Sequence, residues 1–294
     1  MNANKQSPPI RIGIIGGSGL YRMKGLSSVE TRSVTTPFGA PSDDVLIGRI
    51  EGVPVAFLAR HGRGHVLMPS EVNYRANIFA LKSLGVEQVI SVSACGSLRE
   101  HLHPGEVVIP DQLFDFTKAR RYSFFGEGLV AHIGTAKPFC SRLAGLLGDV
   151  VEARGGTVHL GGRFITIEGP RFSTKGESFT YRAWGMDIIG MTTSPEAFLA
   201  REAEMCYAVM GHVTDYDVWH ETEEEVNVEM LLDTLHANTE LAQDAIRTLV
   251  PQLAGAEREC ACDLALATAF ITQPDLIPQE TKRRLAPIVG KYLA

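Results

Sequence analysis

This chain has little that would place it in a membrane or on nucleic acid. No apolar stretch approaches the roughly 20 residues that span a bilayer, and the polar first residues lack the apolar core of a secretory signal. A cytoplasmic protein with no membrane partner is therefore expected. The net charge of −6 gives no basic footprint for nucleic acid, which is not predicted as a partner. The basic clusters at 118–121 and 282–284 are interpreted as solvated surface.

Cysteine is scarce as well, with five in 294 residues. A low and odd number argues against a disulfide framework, so Cys95, Cys140 and Cys206 are predicted to be reduced, packed thiols. The spacing of Cys260 and Cys262 suits a strained disulfide or half of a metal site. Because no second cysteine or histidine pair lies nearby in the sequence, structural thiols are favoured and no metal site is predicted.

The chain does have ample apolar sequence, 45% of its residues, which is enough for one large α/β domain or two smaller ones. Apolar runs alternate with stretches of helical spacing, a pattern typical of an α/β sheet that is partly parallel. Strands are predicted within 11–20 and at 53–58, 88–92, 106–109, 157–167, 187–191 and 208–213. Helices are predicted at 73–84, from Ser194, and from 226 to a stop at Pro251. No repeat or linker interrupts the pattern, so a single domain over 1–294 is predicted, with residues 1–9 expected to be flexible.

The glycine-rich segment after the first predicted strand invites comparison with dinucleotide-binding loops. It does not fit their pattern, since Arg22 stands where glycine or alanine is needed. What remains is a loop of backbone N–H groups with a hydroxyl at Ser18, which could hold a small anion or be a structural turn.

Two further loops at strand ends carry groups that bind anions. Arg60 can bind phosphate with two parallel hydrogen bonds, and His61 is assigned as a further donor; a metal site is the less favoured alternative there. Ser93 and the N–H of Ala94 belong to a run of small residues that lets a ligand approach the backbone, or that simply packs tightly. Taken together, the three loops predict a phosphate site.

Two aspartates separated by one residue follow the apolar run at 208–213. If that run is a buried strand, Asp215 and Asp217 lie near its carboxyl end, where ligands bind in open α/β sheets, and buried charges there are costly unless they are used. A second segment, with Phe172 and Ser173 beside a Gly-Pro bend, suits a wall against which a base stacks. A buried structural Phe172 is the alternative.

These segments closely resemble the trimeric purine nucleoside phosphorylase family over roughly residues 10–250. The likeness rests on GIIGGSGL, TPFGAPSD, LARHGRGH, MPSEVNYRAN, SACGSL, TIEGPRFST, GMTTSPEA and TDYDVW, in that order. The resemblance implies a single α/β domain with a twisted, mixed central β-sheet flanked by helices. It also implies a homotrimer or a dimer of trimers, nucleoside and phosphate as small-molecule partners, and no cofactor, because inorganic phosphate is a co-substrate.

The resemblance also implies roles for individual residues. The phosphate site would use Ser18, Arg60, His61, Ser93, the backbone of Ala94, and Thr192. The nucleoside would contact Phe172, Ser173, Met191, Asp215, Asp217, Val228, Leu231, and His132 from the neighbouring subunit. The tail at 255–294 matches the family poorly, and some similar members hold a Cys-x-Cys near the C-terminus in disulfides.

The implied reaction is phosphorolysis of 5'-methylthioadenosine to adenine and 5-methylthioribose 1-phosphate. Asp215 is the candidate acid for the departing purine and Asp217 its partner, because burial and a negative neighbour raise a carboxyl pKa. Carboxylates accept hydrogen bonds and so favour a 6-amino group over a 6-oxo group. A phosphorylase for methylthioinosine or unmodified purine nucleosides, and a nucleotide-binding regulatory module, are the alternatives.

Overall fold

A computed structural model describes residues 9–17, 23, 25–220 and 228–293, and of residues 228–237 it describes the backbone only. The described residues form eleven strands and seven helices. The strands are β1 (Ile12–Gly16), β2 (Leu26–Arg32), β3 (Val45–Ile50), β4 (Val53–Ala59), β5 (Gln88–Ser97), β6 (Val107–Ile109), β7 (Gln112–Phe116), β8 (Val158–Leu160), β9 (Arg163–Ile167), β10 (Ile188–Gly190) and β11 (Cys206–Asp215). The helices are α1 (Tyr74–Ser83), α2 (Ser141–Ala153), α3 (Lys175–Ala183), α4 (Thr193–Glu202), α5 (Val228–Gly255), α6 (Gln279–Arg284) and α7 (Ala286–Leu293).

All eleven strands belong to one mixed sheet with the order β2-β3-β4-β1-β5-β10-β9-β7. β11 also pairs with β5, and through β6 it connects to β8. The centre of the sheet is parallel, since β4, β1, β5 and β11 run the same way, whereas β3, β6 and β10 pair antiparallel to this centre. The predicted mixed sheet with flanking helices is confirmed.

The sheet is covered on both faces, which explains why its central strands are apolar throughout. On β1, Ile15 packs into the cluster that contains α1 and α4, whereas Ile14 packs into the cluster that contains α2 and α5. β1 is buried over its whole length, and β11 up to its last residue. This burial on two sides fixes the positions of the strand ends that carry the candidate site.

Three sequence predictions differ from the structure. The run at 157–167 is not one strand but two, β8 and β9, because Gly161 and Gly162 have φ of +90° and +121° and turn the chain. The helix predicted to stop at Pro251 continues to Gly255 with the proline inside it. The loss of one backbone N–H there is tolerated because Val250 and Leu253, on either side, are buried in the core.

The interpretation of residues 118–121 as solvated surface is wrong for Arg120. Its side chain is buried, donates from Nε to Glu168 over 3.2 Å, and contacts the hydroxyl of Tyr74 and the carbonyl of Ser194. Ser194 has extended backbone angles and marks a kink in α4, whose regular part begins at Pro195. Within the described ranges, no helix combines the length and the apolar character needed to cross a bilayer.

Candidate functional site

The ends of three neighbouring parallel strands bring predicted site residues to one edge of the sheet. β1 pairs with β4 on one side and with β5 on the other. Gly16, the last residue of β1, lies beside Ala59 and accepts the backbone N–H of Arg60 over 3.1 Å. Ser93 lies in the second half of β5. Arg60, His61 and Ser93, predicted from separate motifs, therefore meet where open α/β sheets bind ligands.

Arg60 is buried in a bidentate ion pair. Its Nε and Nη2 donate to the two carboxylate oxygens of Glu196 over 2.8 and 3.0 Å, and the exposed fractions of the two side chains are 3% and 0%. Nη2 also donates to Ser91 Oγ over 2.6 Å, and Nη1 donates to Val92 O over 3.1 Å. Of the five guanidinium donors, only one Nη1 N–H has no partner within the part of the chain that is described. The bidentate bond that the sequence assigned to phosphate is made here to Glu196.

The pKa values of Arg60 and Tyr207 are shifted by their buried surroundings. Burial by itself lowers the pKa of Arg60, but the Glu196 carboxylate outweighs burial and the net shift is upward. The Tyr207 hydroxyl donates to Glu196 over 2.7 Å, and burial followed by the negative Glu196 raises the pKa of this phenol well above its usual value. The positive charge of Arg60 is thus neutralised internally, and an anion would be held here mainly by directed hydrogen bonds.

His61 is a neutral imidazole in this site. Burial, followed by the positive charge of Arg60, lowers the pKa of His61 to about 4. Its Nδ1 lies 2.8 Å from the carbonyl oxygen of Leu67, which fixes Nδ1 as the protonated nitrogen, and its ring stacks on His65 at 4.2 Å. In this tautomer Nε2 accepts a hydrogen bond and does not donate one. The structure therefore changes the chemistry expected of His61 from donor to acceptor.

Thr192 joins this group through the antiparallel strand β10. Ile189 pairs with Gly96 of β5, so the chain after β10 runs back along β5 toward Ser93. The hydroxyl oxygens of Ser93 and Thr192 lie 3.4 Å apart, and both side chains are buried. We refer to Arg60, His61, Ser93 and Thr192 as the Arg60 cluster. Ala94 is half-buried next to it, and Ser18, predicted with the same group, lies outside the described residues.

Asp215 lies beside β5, at a point three residues beyond Ser93. β11 pairs with β5 so that Asp215 faces Gly96, where an added Cβ would be only 2.8 Å from Asp215 Oδ1. The carboxylate accepts the Thr214 hydroxyl over 2.6 Å and the backbone N–H of Asp217 over 2.7 Å. Burial raises the pKa of Asp215, and these two hydrogen bonds offset part of that rise.

Asp217 itself has a left-handed backbone conformation, with φ of +52°, in the turn that follows β11. Burial, followed by the negative charge of Asp215, raises the pKa of Asp217 to about 6, although the hydroxyls of Ser178 and Ser173 approach it and act in the opposite direction. Neither hydroxyl completes a hydrogen bond of good geometry to it. Asp217 Oδ2, Ser173 Oγ and Ser178 Oγ are all buried without a hydrogen-bond partner in the described ranges.

We refer to Asp215, Asp217, Ser173 and Ser178 as the Asp215 cluster. Buried polar atoms without partners are uncommon in folded proteins because each costs about 1–3 kcal/mol. Their concentration beside two carboxyls whose pKa values are raised is typical of a site that completes its hydrogen bonds with a ligand.

The loop between β9 and α3 carries the predicted stacking residue. Phe172 is 37% exposed, so the alternative of a buried core phenylalanine does not describe it. Thr174 and Glu177 form a reciprocal cap at the start of α3, and Arg171 donates to both oxygens of Glu177 over 2.7 Å. Ser173 lies between this fixed cap and the exposed ring.

Met191 contacts the same loop from the other side. An added Cβ at Gly169, whose φ is +65°, would lie 2.6 Å from Met191 Sδ. Glycine therefore permits both the turn and the close approach of this methionine. Met191 directly precedes Thr192, so it lies between the Arg60 cluster and the Phe172 loop.

No contact within the described part of the chain links His132, which was predicted to act from a neighbouring subunit, to these clusters. His132 is exposed, and its backbone N–H donates to Ala269 O over 2.8 Å. The side chains of Val228 and Leu231 lie outside the described residues, although both positions belong to α5.

Sequence reasoning missed the residues that support the site. Glu196 neutralises Arg60 and accepts from Tyr207, and Ser178 approaches Asp217. Glu196 lies in the GMTTSPEA segment but was given no role, and Tyr207 and Ser178 lie outside the matching segments. Glu196 left one signal, an acidic residue in the first turn of a helix that begins directly after a strand end.

Comparison with known proteins identifies what these features are similar to. A sequence model described as the phosphorylase superfamily matches residues 11–251. A protein of Gloeobacter violaceus named S-methyl-5'-thioadenosine phosphorylase is 53% identical over 98% of this chain and 97% of its own. A protein of the same name from Chloroflexus aurantiacus is 53% identical over 96% and 98% of the two chains. Because these alignments cover nearly the whole chain, they extend into the segment after residue 255.

Solved structures of methylthioadenosine phosphorylases have a fold similar to that of this chain. A methylthioadenosine phosphorylase from an antarctic soil metagenomic library superposes with a TM-score of 0.92, at 46% identity, over 96% of this chain and 99% of that one. Methylthioadenosine phosphorylase from Schistosoma mansoni, in complex with adenine, has a TM-score of 0.83 at 38% identity over 88% and 99% of the two chains.

Proposed function

The chain belongs to the phosphorylase superfamily, and from this premise we propose that it cleaves 5'-methylthioadenosine with inorganic phosphate, releasing adenine and 5-methylthioribose 1-phosphate. It is an enzyme of the pentosyltransferase class. One observation carries the assignment of the site: Ser93 of the Arg60 cluster and Gly96 beneath Asp215 lie on one strand. Three residues of strand separate them by about 10 Å, a distance that a nucleoside with phosphate below its ribose can bridge.

The Arg60 cluster is proposed to hold and orient phosphate. The Ser93 and Thr192 hydroxyls, the Ala94 N–H, the remaining Arg60 N–H and the Ser18 hydroxyl donate to its oxygens. His61 Nε2 accepts the O–H of hydrogen phosphate, a role that its neutral tautomer permits. A phosphate oxygen then attacks the anomeric carbon while the bond to the purine nitrogen breaks, and fixed donors stabilise this arrangement without reorganising. We propose no metal or organic cofactor for this step.

The Asp215 cluster is proposed to bind and protonate the purine. Breaking the glycosidic bond leaves negative charge on the base, which a proton from Asp215 to N7 neutralises. An aspartate with the usual pKa of about 3.9 holds a proton in roughly one molecule per thousand at pH 7, so the upward shifts of both carboxyl pKa values favour this role. Asp217 accepts a hydrogen bond from the 6-amino group of adenine. The carboxyls of Asp215 and Asp217 share a proton as a pair.

The remaining groups are proposed to complete the nucleoside site. Met191 packs against the ribose, and Phe172 stacks on the purine beside Ser173. Val228 and Leu231 surround the 5'-methylthio group together with His132, which comes from the neighbouring subunit.

The proposal therefore includes an oligomer, a trimer or a dimer of trimers, that works in the cytoplasm in purine and methionine salvage. An exposed aromatic surface supports an oligomer. Phe114, Phe116 and Trp184 are 40%, 37% and 47% exposed, and their rings pack against one another.

The decisive experiment measures release of the free base, which is adenine from methylthioadenosine and adenosine and hypoxanthine from methylthioinosine, each with and without inorganic phosphate. We expect release that depends strictly on phosphate and a kcat/KM that is highest for methylthioadenosine. Release of the base without phosphate would contradict phosphorolysis. A preference for methylthioinosine would contradict the role of the carboxyl pair, and nucleoside binding without any release would favour a regulatory module.

A further inference from the structure

Four of the five cysteines come together far from the Arg60 and Asp215 clusters. The Sγ atoms of Cys140, Cys206, Cys260 and Cys262 all lie within 4.8 Å of one another, and the Cys206 and Cys260 sulfurs are 3.4 Å apart. We call this group the four-cysteine cluster. The sequence predicted that no second pair completes the Cys260–Cys262 site. The tertiary structure shows otherwise, because Cys140 and Cys206 supply that pair from distant parts of the chain.

The fold brings these sulfurs together from three elements. Cys140 is the residue before α2, and its backbone N–H donates to Tyr207 O over 2.9 Å. Cys206 is the first residue of β11. Cys260 and Cys262 follow α5, and Cys262 begins a single 3-10 turn. The cluster thus joins the helical layer, the central sheet and the C-terminal segment.

We propose that the four-cysteine cluster is a structural Zn²⁺ site with four thiolate ligands. Zinc bound by four cysteines is tetrahedral with Zn–S of about 2.3 Å, which places the sulfurs about 3.8 Å apart. The sulfurs need to move by about 1 Å or less to reach that arrangement. All four positions would be filled by protein, which is typical of structural and not of catalytic zinc.

The surroundings suit a closed thiolate site. Cys140, Cys206 and Cys262 are buried in the apolar core between α2 and α5, and Cys260 is partly buried. A zinc ion with four thiolates carries a net charge of −2. The positively charged Arg258 interacts with Cys206 and Cys260, and Cys140 lies at the positive end of α2, so both reduce the cost of that charge.

Two further features match a metal site. An open groove is lined by Ser141, Arg142 and Glu259, which are close in sequence to Cys140 and Cys260. Arg258 Nε is buried without a partner among the described residues, which leaves a donor for a ligating sulfur. When Zn²⁺ binds, it displaces the protons of the thiols, and one proton is released for each sulfur that was protonated.

The bound ion would fasten the C-terminal segment to the core. This segment supports the stretch that contains His132, since Ile271 N–H donates to Val130 O over 2.9 Å and His132 N–H donates to Ala269 O over 2.8 Å. Cys262 lies at the start of the same segment. A zinc ion at the cluster would therefore hold in place the chain that backs His132.

The test compares metal content in the full-length protein purified from zinc-supplemented cells without chelators. We expect about one zinc per chain in the natural protein, and at least a roughly tenfold loss in Cys140→Ser and Cys262→Ser. Cys95→Ser is the matched control, because Cys95 is buried but contacts His212 O and not the cluster. It should keep its zinc.

A second measurement does not depend on any variant folding. The reduced, metal-free natural protein is titrated with Co²⁺, whose visible absorption reports tetrahedral thiolate ligation, and Zn²⁺ should then displace the signal. Failure of the reduced protein to take up either ion would overturn the proposal, as would iron in place of zinc. Two disulfides that persist in the purified protein, followed by no metal uptake after reduction, would show that the cluster is an oxidised staple instead.

Discussion

The Arg60 cluster and the Asp215 cluster lie on the same strand but handle buried charge in opposite ways. Arg60 is neutralised by Glu196. Ser91 and Val92 accept further hydrogen bonds from Arg60, and Tyr207 donates one to Glu196. The Asp215 cluster keeps two acids side by side, and three of its buried polar atoms have no partner among the described residues. The buried charge of one cluster is balanced within the protein, whereas the other keeps buried polar atoms without partners.

This difference fits what each cluster is proposed to bind. Phosphate is a strong anion, and an internally balanced arginine with a few fixed donors holds it without leaving an uncompensated buried charge in the free protein. A purine is neutral and gains negative charge only as the glycosidic bond breaks, so carboxyls whose pKa is raised can keep a proton for that moment. The Arg60 cluster should therefore contribute to stability, whereas the Asp215 cluster should contribute mainly to turnover.

The largest effect is expected where the Arg60 ion pair is broken. Arg60→Met leaves Glu196 buried without its cation, and we expect the free energy of unfolding to fall by about 3–5 kcal/mol in urea denaturation at fixed protein concentration. The double variant Arg60→Met with Glu196→Met should recover most of this loss, because neither charge remains buried. If the single variant is as stable as the double variant, the pair does not hold this cluster together.

The next largest effect concerns turnover in the Asp215 cluster. Asp215→Asn removes the proposed acid, so kcat/KM for methylthioadenosine should fall by on the order of 100-fold or more, about 2.7 kcal/mol of transition-state stabilisation. Methylthioinosine should improve relative to methylthioadenosine, since an amide can donate to a 6-oxo group. Asp149→Asn, on the exposed face of α2, is the control and should leave the rate unchanged. Undiminished turnover by the Asp215 variant would remove the residue from the mechanism.

Two serines allow the comparison to be made with one chemical change. Ser91 and Ser178 are both fully buried, but Ser91 Oγ accepts from Arg60 and donates to Glu196, whereas Ser178 Oγ has no partner in the described ranges. Ser91→Ala should cost about 1–3 kcal/mol of unfolding free energy, and Ser178→Ala less than about 0.5 kcal/mol. Equal losses in thermal or urea unfolding would mean that the two clusters do not differ as described.

The smallest expected effect is a shift in pH dependence. A proton donor is active when protonated, so kcat/KM at saturating phosphate should fall as pH rises through the pKa of the carboxyl pair, about 6 for Asp217. Asp217→Asn removes a negative neighbour, which lowers the pKa of the remaining acid and moves this alkaline limb down by about one pH unit. Phosphate ionisation is the same for both proteins and cancels in the comparison. A limb that moves upward would contradict the shared proton.

Much of the fold could be read from local sequence. The run at 53–58 was predicted as a strand, and β4 extends it by one residue; the helix predicted at 73–84 is α1. Such elements follow from patterns within about ten residues, namely the alternation of apolar and polar side chains and the glycines that end them. The break at Gly161 and Gly162 was missed although a Gly-Gly pair is a turn signal, because the apolar residues on either side were taken as one run.

The residues of the candidate site also divide into those that local sequence indicates and those that it does not. The sequence pointed to Arg60, His61, Ser93, Asp215 and Asp217 because each stands just after an apolar run, a relation that is local. Glu196 could not be assigned to Arg60, because their contact depends on the order of β4, β1, β5 and β10 in the sheet. The four-cysteine cluster was hidden for the same reason, since Cys140 and Cys206 approach Cys260 only through the packing of α2 and β11.

The amino-acid order alone determined which segments become strands and which reactive side chains stand at their ends, because backbone preference and apolar spacing act over short stretches. Tertiary structure decided which of those side chains are neutralised, which stay unpaired and which thiols meet. These outcomes depend on burial and on contacts between distant segments, and both exist only after the sheet has assembled.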